Sequence, residues 1–321
     1  MQLYLTYPYQ NMPMNQKIKW DVLYRQLLSE QTRQRSERII LVIAIASFVV
    51  HLLLIFLVDF GIIHFKGDGA LLKNPIAAIY TPFSFILVYE VYLLLYYLPR
   101  SITTYISKQY EIITLIIIRR LFKDLANLSL SSDWFSTKYD LQFTYDLIAS
   151  VLLFFLIYLF YTQSKKSSMV SNTEPQPSEG ISRFIRIKKG LAAALVPVLI
   201  FVALYSFINW SRGVISPEGQ ASVSFENINN IFFEQFFTIL IIADVILLLV
   251  SFFYTDEFHK VIRNSGFIIS TILIRLSFSV SGLLNTLLSV AASVFGLLIR
   301  VIHNQFDALM AREQAIESEN S

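Results

Sequence analysis

The 321-residue sequence contains no cysteine, and only 15% of its residues are charged. Without a thiol, the chain cannot form a disulfide scaffold, a thiolate metal site or a cysteine nucleophile. Soluble domains carry about 25% charged and 45–50% apolar residues. This chain is 55% hydrophobic, with a mean hydropathy of +0.56. These values exclude a soluble globular protein and indicate an integral membrane protein.

Sequence motifs of catalysis are also absent. The chain has no Walker motif, HExxH, GxSxG, GxGxxG or DxDG loop, and no polar stretch long enough for a soluble catalytic domain. His51 is a lone imidazole among aliphatic residues, so no haem or paired-histidine metal site is indicated. The sequence therefore predicts no enzyme, no catalytic residue, no cofactor, no metal and no nucleic-acid partner. It also predicts no signal peptide, because the first 38 residues lack an apolar run that ends in a small-residue cleavage site.

Long apolar runs are the main positive feature. A helix needs about 20 mostly apolar residues to cross the hydrocarbon core of a bilayer. Runs of this kind predict an all-α, polytopic transmembrane bundle of about eight spans. The predicted spans are residues 39–60, 76–98, 103–122, 145–162, 190–209, 231–253 and two more within 261–301.

Two of these regions depend on further argument. Residues 103–122 include four charges, but the basic N-terminal segment and the basic middle linker are both expected in the cytoplasm, which requires an even number of spans between them. Residues 261–301 would measure about 60 Å as one helix, twice the membrane thickness. The Ser-Val-Ser-Gly sequence at 279–282 offers a turn, so we expect a hairpin. A single kinked helix would instead give seven spans and an external C-terminus.

The spans divide the chain into two halves of four. Residues 1–38 are predicted to form a cytoplasmic amphipathic segment, which either lies on the membrane or packs against the protein's own loops. The Ser-, Lys- and Pro-containing stretch at 163–180 is too polar to order itself, and predicts a flexible linker. The predicted segments are 1–38 (amphipathic), 39–162 (first half), 163–189 (basic linker), 190–302 (second half) and 303–321 (polar tail).

The two halves resemble each other. The Glu90-Val-Tyr-Leu-Leu-Leu stretch matches Asp244-Val-Ile-Leu-Leu-Leu at an offset of 154 residues, and Arg119 matches Arg275 at an offset of 156. Chance matches between apolar helices are common, so the aligned charges carry the argument. They indicate a parallel four-plus-four repeat, an arrangement in which transporters bind at the interface between repeats.

Charges within the spans are the candidate functional groups, because an ionisable residue at the centre of a membrane costs about 2.5 to 3.5 kcal/mol on the insertion scale. Glu90 and Asp244 lie deep, while Arg119 and Arg275 lie nearer the exterior, so direct pairing within a half is not expected. Glu111 could reach the level of Glu90 and form a carboxyl pair suited to a proton or cation path. Alternatively, each carboxyl bonds a polar side chain and only fixes packing. The predicted pathway or buried polar network is Glu90, Glu111, Arg119, Asp244 and Arg275.

The functional prediction is an ion or small-solute channel or transporter with buried carboxyls on its pathway. The alternative is a non-catalytic scaffold or assembly subunit of a larger membrane complex, which would use the small-residue face of the last span for packing. Either protein would be multi-pass in the plasma or bacterial inner membrane, with its N-terminus in the cytoplasm. The expected partners are the lipid bilayer, an ion or small solute, and a second copy or other membrane subunits.

Overall fold

A computed structural model describes residues 22–62, 75–125, 138–170, 179–215, 225–254, 257–278, 280 and 282–319. Within these ranges the chain is helical apart from short turns, which confirms the all-α prediction. A helical turn at residues 22–27 and a 3₁₀ helix, Pro75–Ile79, accompany eight longer helices. These are α1 (Glu30–Asp59), α2 (Tyr80–Tyr97), α3 (Ile102–Leu125), α4 (Lys138–Val170), α5 (Glu179–Ile215), α6 (Phe225–Phe252), α7 (Phe258–Ser277) and α8 (Leu283–Glu319).

Five of these helices, α1, α4, α5, α6 and α8, are long and apolar enough to cross a membrane. Many of their large apolar side chains point outward; Val42 on α1, Phe154 on α4 and Phe201 on α5 are each about two-thirds exposed or more. In water such a surface would drive aggregation, whereas in lipid it is the normal exterior. The fold is therefore that of a helical membrane protein. Helix α2 is apolar but shorter.

The hairpin predicted within residues 261–301 is present. Helix α7 ends at Ser277, and Gly282, with φ of 75°, precedes the start of α8. This left-handed conformation suits glycine, which lacks a Cβ. Contacts between Ser277 and Ser289 and between Gly266 and Ile299 show that the two helices pack antiparallel. The segment is two helices, not one kinked helix.

Helices α7 and α8 bury their small and polar faces and expose their apolar ones. Ser270 of α7 donates to the carbonyl of Ala292 at 2.7 Å, and the polar residues of the facing α8 stripe are buried. Close approach of this kind needs small side chains, as is usual between membrane helices. The buried residues of this α8 stripe include Asn285, Ser289, Ala292 and Ser293.

Two ends of the bundle can be distinguished by their contacts. At one, called the basic end, Lys188 Nζ donates to the carbonyl of Arg100 at 2.5 Å, and Asn304 donates to the carbonyl of Gln163 at 2.8 Å. At the opposite end, Thr286 of α8 donates to Asp146 of α4 at 2.9 Å. Chain segments just before α3, late in α4, early in α5 and late in α8 therefore meet at the basic end.

Three pairs of helices that hold the same place in the first four and the last four contact each other. Helix α2 packs against α6, α3 against α7, and α4 against α8. Within each group of four, consecutive helices are also neighbours. Helix α2 also packs against α5, so the contacts between the two groups join both equivalent and non-equivalent helices.

Helical structure extends beyond the predicted spans. Helix α4 continues to Val170 and α5 begins at Glu179, so the helices occupy much of the predicted linker 163–189. Residues 163–170 contain neither proline nor glycine to stop the helix. Helix α8 likewise continues through the predicted polar tail to Glu319. Residues 171–178 and the first 21 residues, which include most of the predicted amphipathic segment, lie outside the described ranges.

Candidate functional site

The first candidate site is an ion pair between α2 and α3. Arg119 Nη1 lies 3.3 Å from Glu90 Oε2, and it also donates to the carbonyl of Phe83 at 3.0 Å. Both charged side chains are almost fully buried. Burying one of these charges without the other would be costly, so each charge compensates the other inside the bundle.

The second candidate site is another buried acid–arginine pair, between α6 and α7. Arg275 of α7 lies 2.8 Å from Asp244 of α6, again with both side chains buried. Two residues of α3 complete the site: the Tyr105 hydroxyl donates to Asp244 at 2.9 Å, and Arg275 donates to the side-chain oxygen of Gln109 at 3.0 Å. The Asp244 pair therefore lies where the two halves of the chain meet.

The expectation that these carboxyls and arginines would not pair is wrong. Side chains on an α-helix lean towards the helix N-terminus. Helices α2 and α3 are antiparallel and are joined at the basic end, so Glu90 leans towards the opposite end while Arg119 leans back towards the basic end. The two side chains therefore meet, although the backbones of residues 90 and 119 lie at clearly different depths in the bundle. The same geometry brings Arg275 to Asp244.

Glu111 occupies a different environment. It accepts from Lys108 Nζ at 2.7 Å and from the Tyr161 hydroxyl of α4. About a third of the carboxyl side chain is exposed. The structure therefore pairs Glu111 with Lys108, and Glu90 with Arg119, rather than the two carboxyls with each other.

A third buried carboxylate was not among the sequence-predicted residues. Asp146 of α4 is fully buried and binds the Arg120 guanidinium, with Nη2 2.6 Å from Oδ1. It also accepts from Gln142 at 3.0 Å, in addition to Thr286. Asp146 thus joins three helices at the opposite end. Its signal in the sequence is weak, because an acid near the predicted start of a span can equally be exposed at the membrane surface.

Tyr105 and Gln109 were also missed. They lie four residues apart, so they share one face of α3. Polar side chains at this spacing in a membrane span indicate a buried face. The sequence does not reveal that the face meets the Asp244 pair, since that contact depends on how the two halves dock.

One group of side chains has the donor types of a metal site. The ligand atoms of His259, His303 and Asp307 lie within 4.8 Å of one another near the basic end. However, Arg263 Nη1 lies 2.7 Å from His303 Nε2. A guanidinium can only donate, so it occupies the lone pair that a metal would need. Nearby, the hydrogen bond from Lys260 holds the pKa of Glu257 below its usual range. The geometry fits a hydrogen-bonded cluster better than a metal site.

Comparisons with known proteins give no further identification. No family model matches the chain, and neither a curated protein nor a solved structure is significantly similar to it. The functional argument therefore rests on the side chains described above.

Proposed function

We propose that this chain is a membrane transporter or channel for an ion or small solute, built as a parallel four-plus-four repeat. The observation that carries the proposal is the same buried acid–arginine pair in both halves, Glu90–Arg119 and Asp244–Arg275. Ionisable residues inside a membrane usually serve a pathway. Transporters with parallel repeats bind their substrates near the midplane, at the repeat interface. The contact of Tyr105 and Gln109 with the second pair supports its assignment to that interface.

Eight spans fit the contacts at both ends of the bundle. Hydrogen bonds bring the segments around residues 100, 164, 188 and 304 together at the basic end, which is what crossings by α3 to α8 would produce. The positive-inside rule then assigns the basic end to the cytoplasm. This topology includes the charged helices α3 and α7 as spans. The contacts of α3 with α7 and of α4 with α8 fit an approximate two-fold axis along the membrane normal, although α2 packs against α5 as well as α6.

The ion pairs suggest how such a pathway operates. While both partners are charged, each carboxylate is neutralised by its arginine and the path is closed. A transported cation could replace the guanidinium beside a carboxylate, and a proton on the carboxyl would release the arginine to an anion. Relative movement of the halves would open the Asp244 site, since it is shared between them. Glu111, which is about one-third exposed and lies nearer the basic end, would attract an ion rather than take part in the exchange at the buried pairs.

The test is a flux measurement on purified full-length protein in liposomes. Proton, Na⁺, K⁺ and Cl⁻ movement is recorded for the wild type and for two double variants, Glu90→Gln with Arg119→Gln and Asp244→Asn with Arg275→Gln. Removing both partners leaves no uncompensated charge, so these variants are expected to fold. We expect flux in the wild type and at least a tenfold loss in the Asp244/Arg275 double variant.

The matched control removes an exposed pair, Glu257 and Lys260, as glutamines. Its flux should equal that of the wild type. Unchanged flux in both buried-pair variants would remove the carboxyls from the pathway. A folded wild type that moves none of the four ions would overturn ion transport and favour the scaffold alternative, in which the same pairs only fix helix packing.

A further inference from the structure

A small pocket lies at the basic end, and its lining includes no residue of either buried ion pair. It has a volume of about 250 Å³ and lies between the helical turn at 22–27 and the first turns of α5. Three of its six lining residues are cations, and the lining includes two hydroxyl groups and no carboxylate. The lining residues are Tyr24, Arg25, Ser182, Ile185, Arg186 and Lys189.

The pocket's charge is not neutralised by the described part of the chain. Within the described ranges, Arg25, Arg186 and Lys189 form no salt bridge, and the only recorded partner of Lys189 is the Tyr24 ring, 5.4 Å from its Nζ to the ring centroid. Other cations at this end do have partners; Arg33, for example, binds Glu30. Three cations around one cavity repel one another, so an anion between them would be favourable.

Both walls of the pocket are anchored to the bundle. On one side, the Tyr92 hydroxyl donates to the carbonyl of Leu27 at 2.9 Å, and the adjacent Leu28 is buried in the core. On the other, Lys188 donates to the carbonyl of Arg100, and the Phe184 ring lies 5.8 Å from that of Tyr254. The cations are therefore carried by backbone that is already fixed, which lowers the entropic cost of binding.

The position of the pocket indicates the kind of anion. Arg186 and Lys189 come directly before the apolar part of α5, which begins at residue 190, so they lie at the depth of lipid headgroups. Ile181 and Val22 beside them are exposed apolar residues. Basic pockets between helices at the membrane surface bind anionic headgroups.

We propose that this pocket binds the phosphate group of an anionic membrane lipid. Arginine and lysine side chains and the hydroxyls of Ser182 and Tyr24 are donors suited to phosphate oxygens. Ile185 would contact the apolar part of the lipid. The proposal requires no transport activity, and its test can succeed or fail independently of the flux measurement.

The experiment measures binding to purified, delipidated full-length protein by native mass spectrometry and by thermal stabilisation. The probes are phosphatidylglycerol, zwitterionic phosphatidylcholine and soluble glycerol 3-phosphate. The test variant carries Arg25→Gln, Arg186→Gln and Lys189→Gln. Each basic residue near a membrane surface contributes about a fivefold change in affinity, so the triple variant should bind phosphatidylglycerol about 100-fold more weakly.

The matched control removes three exposed cations, Arg35, Arg38 and Lys165, which do not line the pocket. It should bind within about threefold of the wild type. An equal loss in the control, or no loss in the test variant, would overturn the proposal. Glycerol 3-phosphate binding as tightly as phosphatidylglycerol would overturn the lipid as the ligand. If the triple variant does not fold, Arg186→Gln alone should weaken binding about fivefold, and unchanged binding would be contrary evidence.

Discussion

At the scale of residues, Glu90 and Arg119 neutralise each other inside the bundle, so removing one charge leaves the other buried without compensation. We expect Glu90→Gln or Arg119→Gln alone to destabilise the protein by about 3 to 5 kcal/mol, and the double variant to be more stable than either single variant. Thermal unfolding of the wild type, both single variants and the double variant in one detergent would measure the interaction energy between the two side chains.

The exposed Glu257–Lys260 pair provides the comparison, since exposed pairs contribute only about 0–1 kcal/mol. The stability changes caused by its two single substitutions should sum to nearly that of the double variant. If the stability losses from Glu90→Gln and Arg119→Gln summed to that of the double variant, the two side chains would not interact in the folded protein. The flux prediction for these residues would then lose its structural basis.

At the scale of elements, the approach of α8 to α3 depends on Gly296. A Cβ at this position would lie 1.7 Å from the Tyr110 hydroxyl oxygen and 2.9 Å from Ser270 Oγ. Tyr110 is itself bound to Ser270 at 2.7 Å, so it cannot move without breaking that bond. We predict that Gly296→Ala destabilises the protein by about 1–3 kcal/mol through overpacking.

The control is Gly190→Ala in α5, where a Cβ meets nothing within 4 Å. Because alanine favours helix, this change should stabilise the protein by about 0.5–1 kcal/mol. Tyr110→Phe in the Gly296→Ala background should recover part of the loss. The opposite order of stability between the two alanine variants would show that α8 does not pack on α3 in this way.

The sequence predicts the helices better than their contacts. The apolar runs and the Ser-Val-Ser-Gly turn indicate the elements, including the α7–α8 hairpin. The Glu90–Arg119 pair was missed because depth was judged from backbone position, whereas the directions of the side chains decide the contact. The approach of Tyr105 to Asp244 depends on docking between halves, for which the spacing of residues within a helix gives no information.

At the scale of the whole molecule, the absence of native cysteine makes the topology directly measurable. We predict that cysteines introduced at Arg35 and Lys260, at the basic end, react with a membrane-impermeant maleimide only from the cytoplasmic side. A cysteine at Leu283, which is half-exposed at the start of α8, should react only from outside. Labelling of Lys260→Cys and Leu283→Cys from the same side would rule out the eight-span topology. Labelling in lysed membranes serves as the control for accessibility.

Each buried ion pair joins two consecutive helices, α2 with α3 and α6 with α7. This has a consequence for biogenesis. In the proposed eight-span topology, α3 and α7 carry charges that oppose their partition into lipid, but the carboxylate that compensates the buried arginine has emerged from the ribosome only one helix earlier. Each pair can therefore leave the translocon together, with its buried arginine already neutralised. The marginal helices need not wait for a distant segment of the chain before they enter the bilayer.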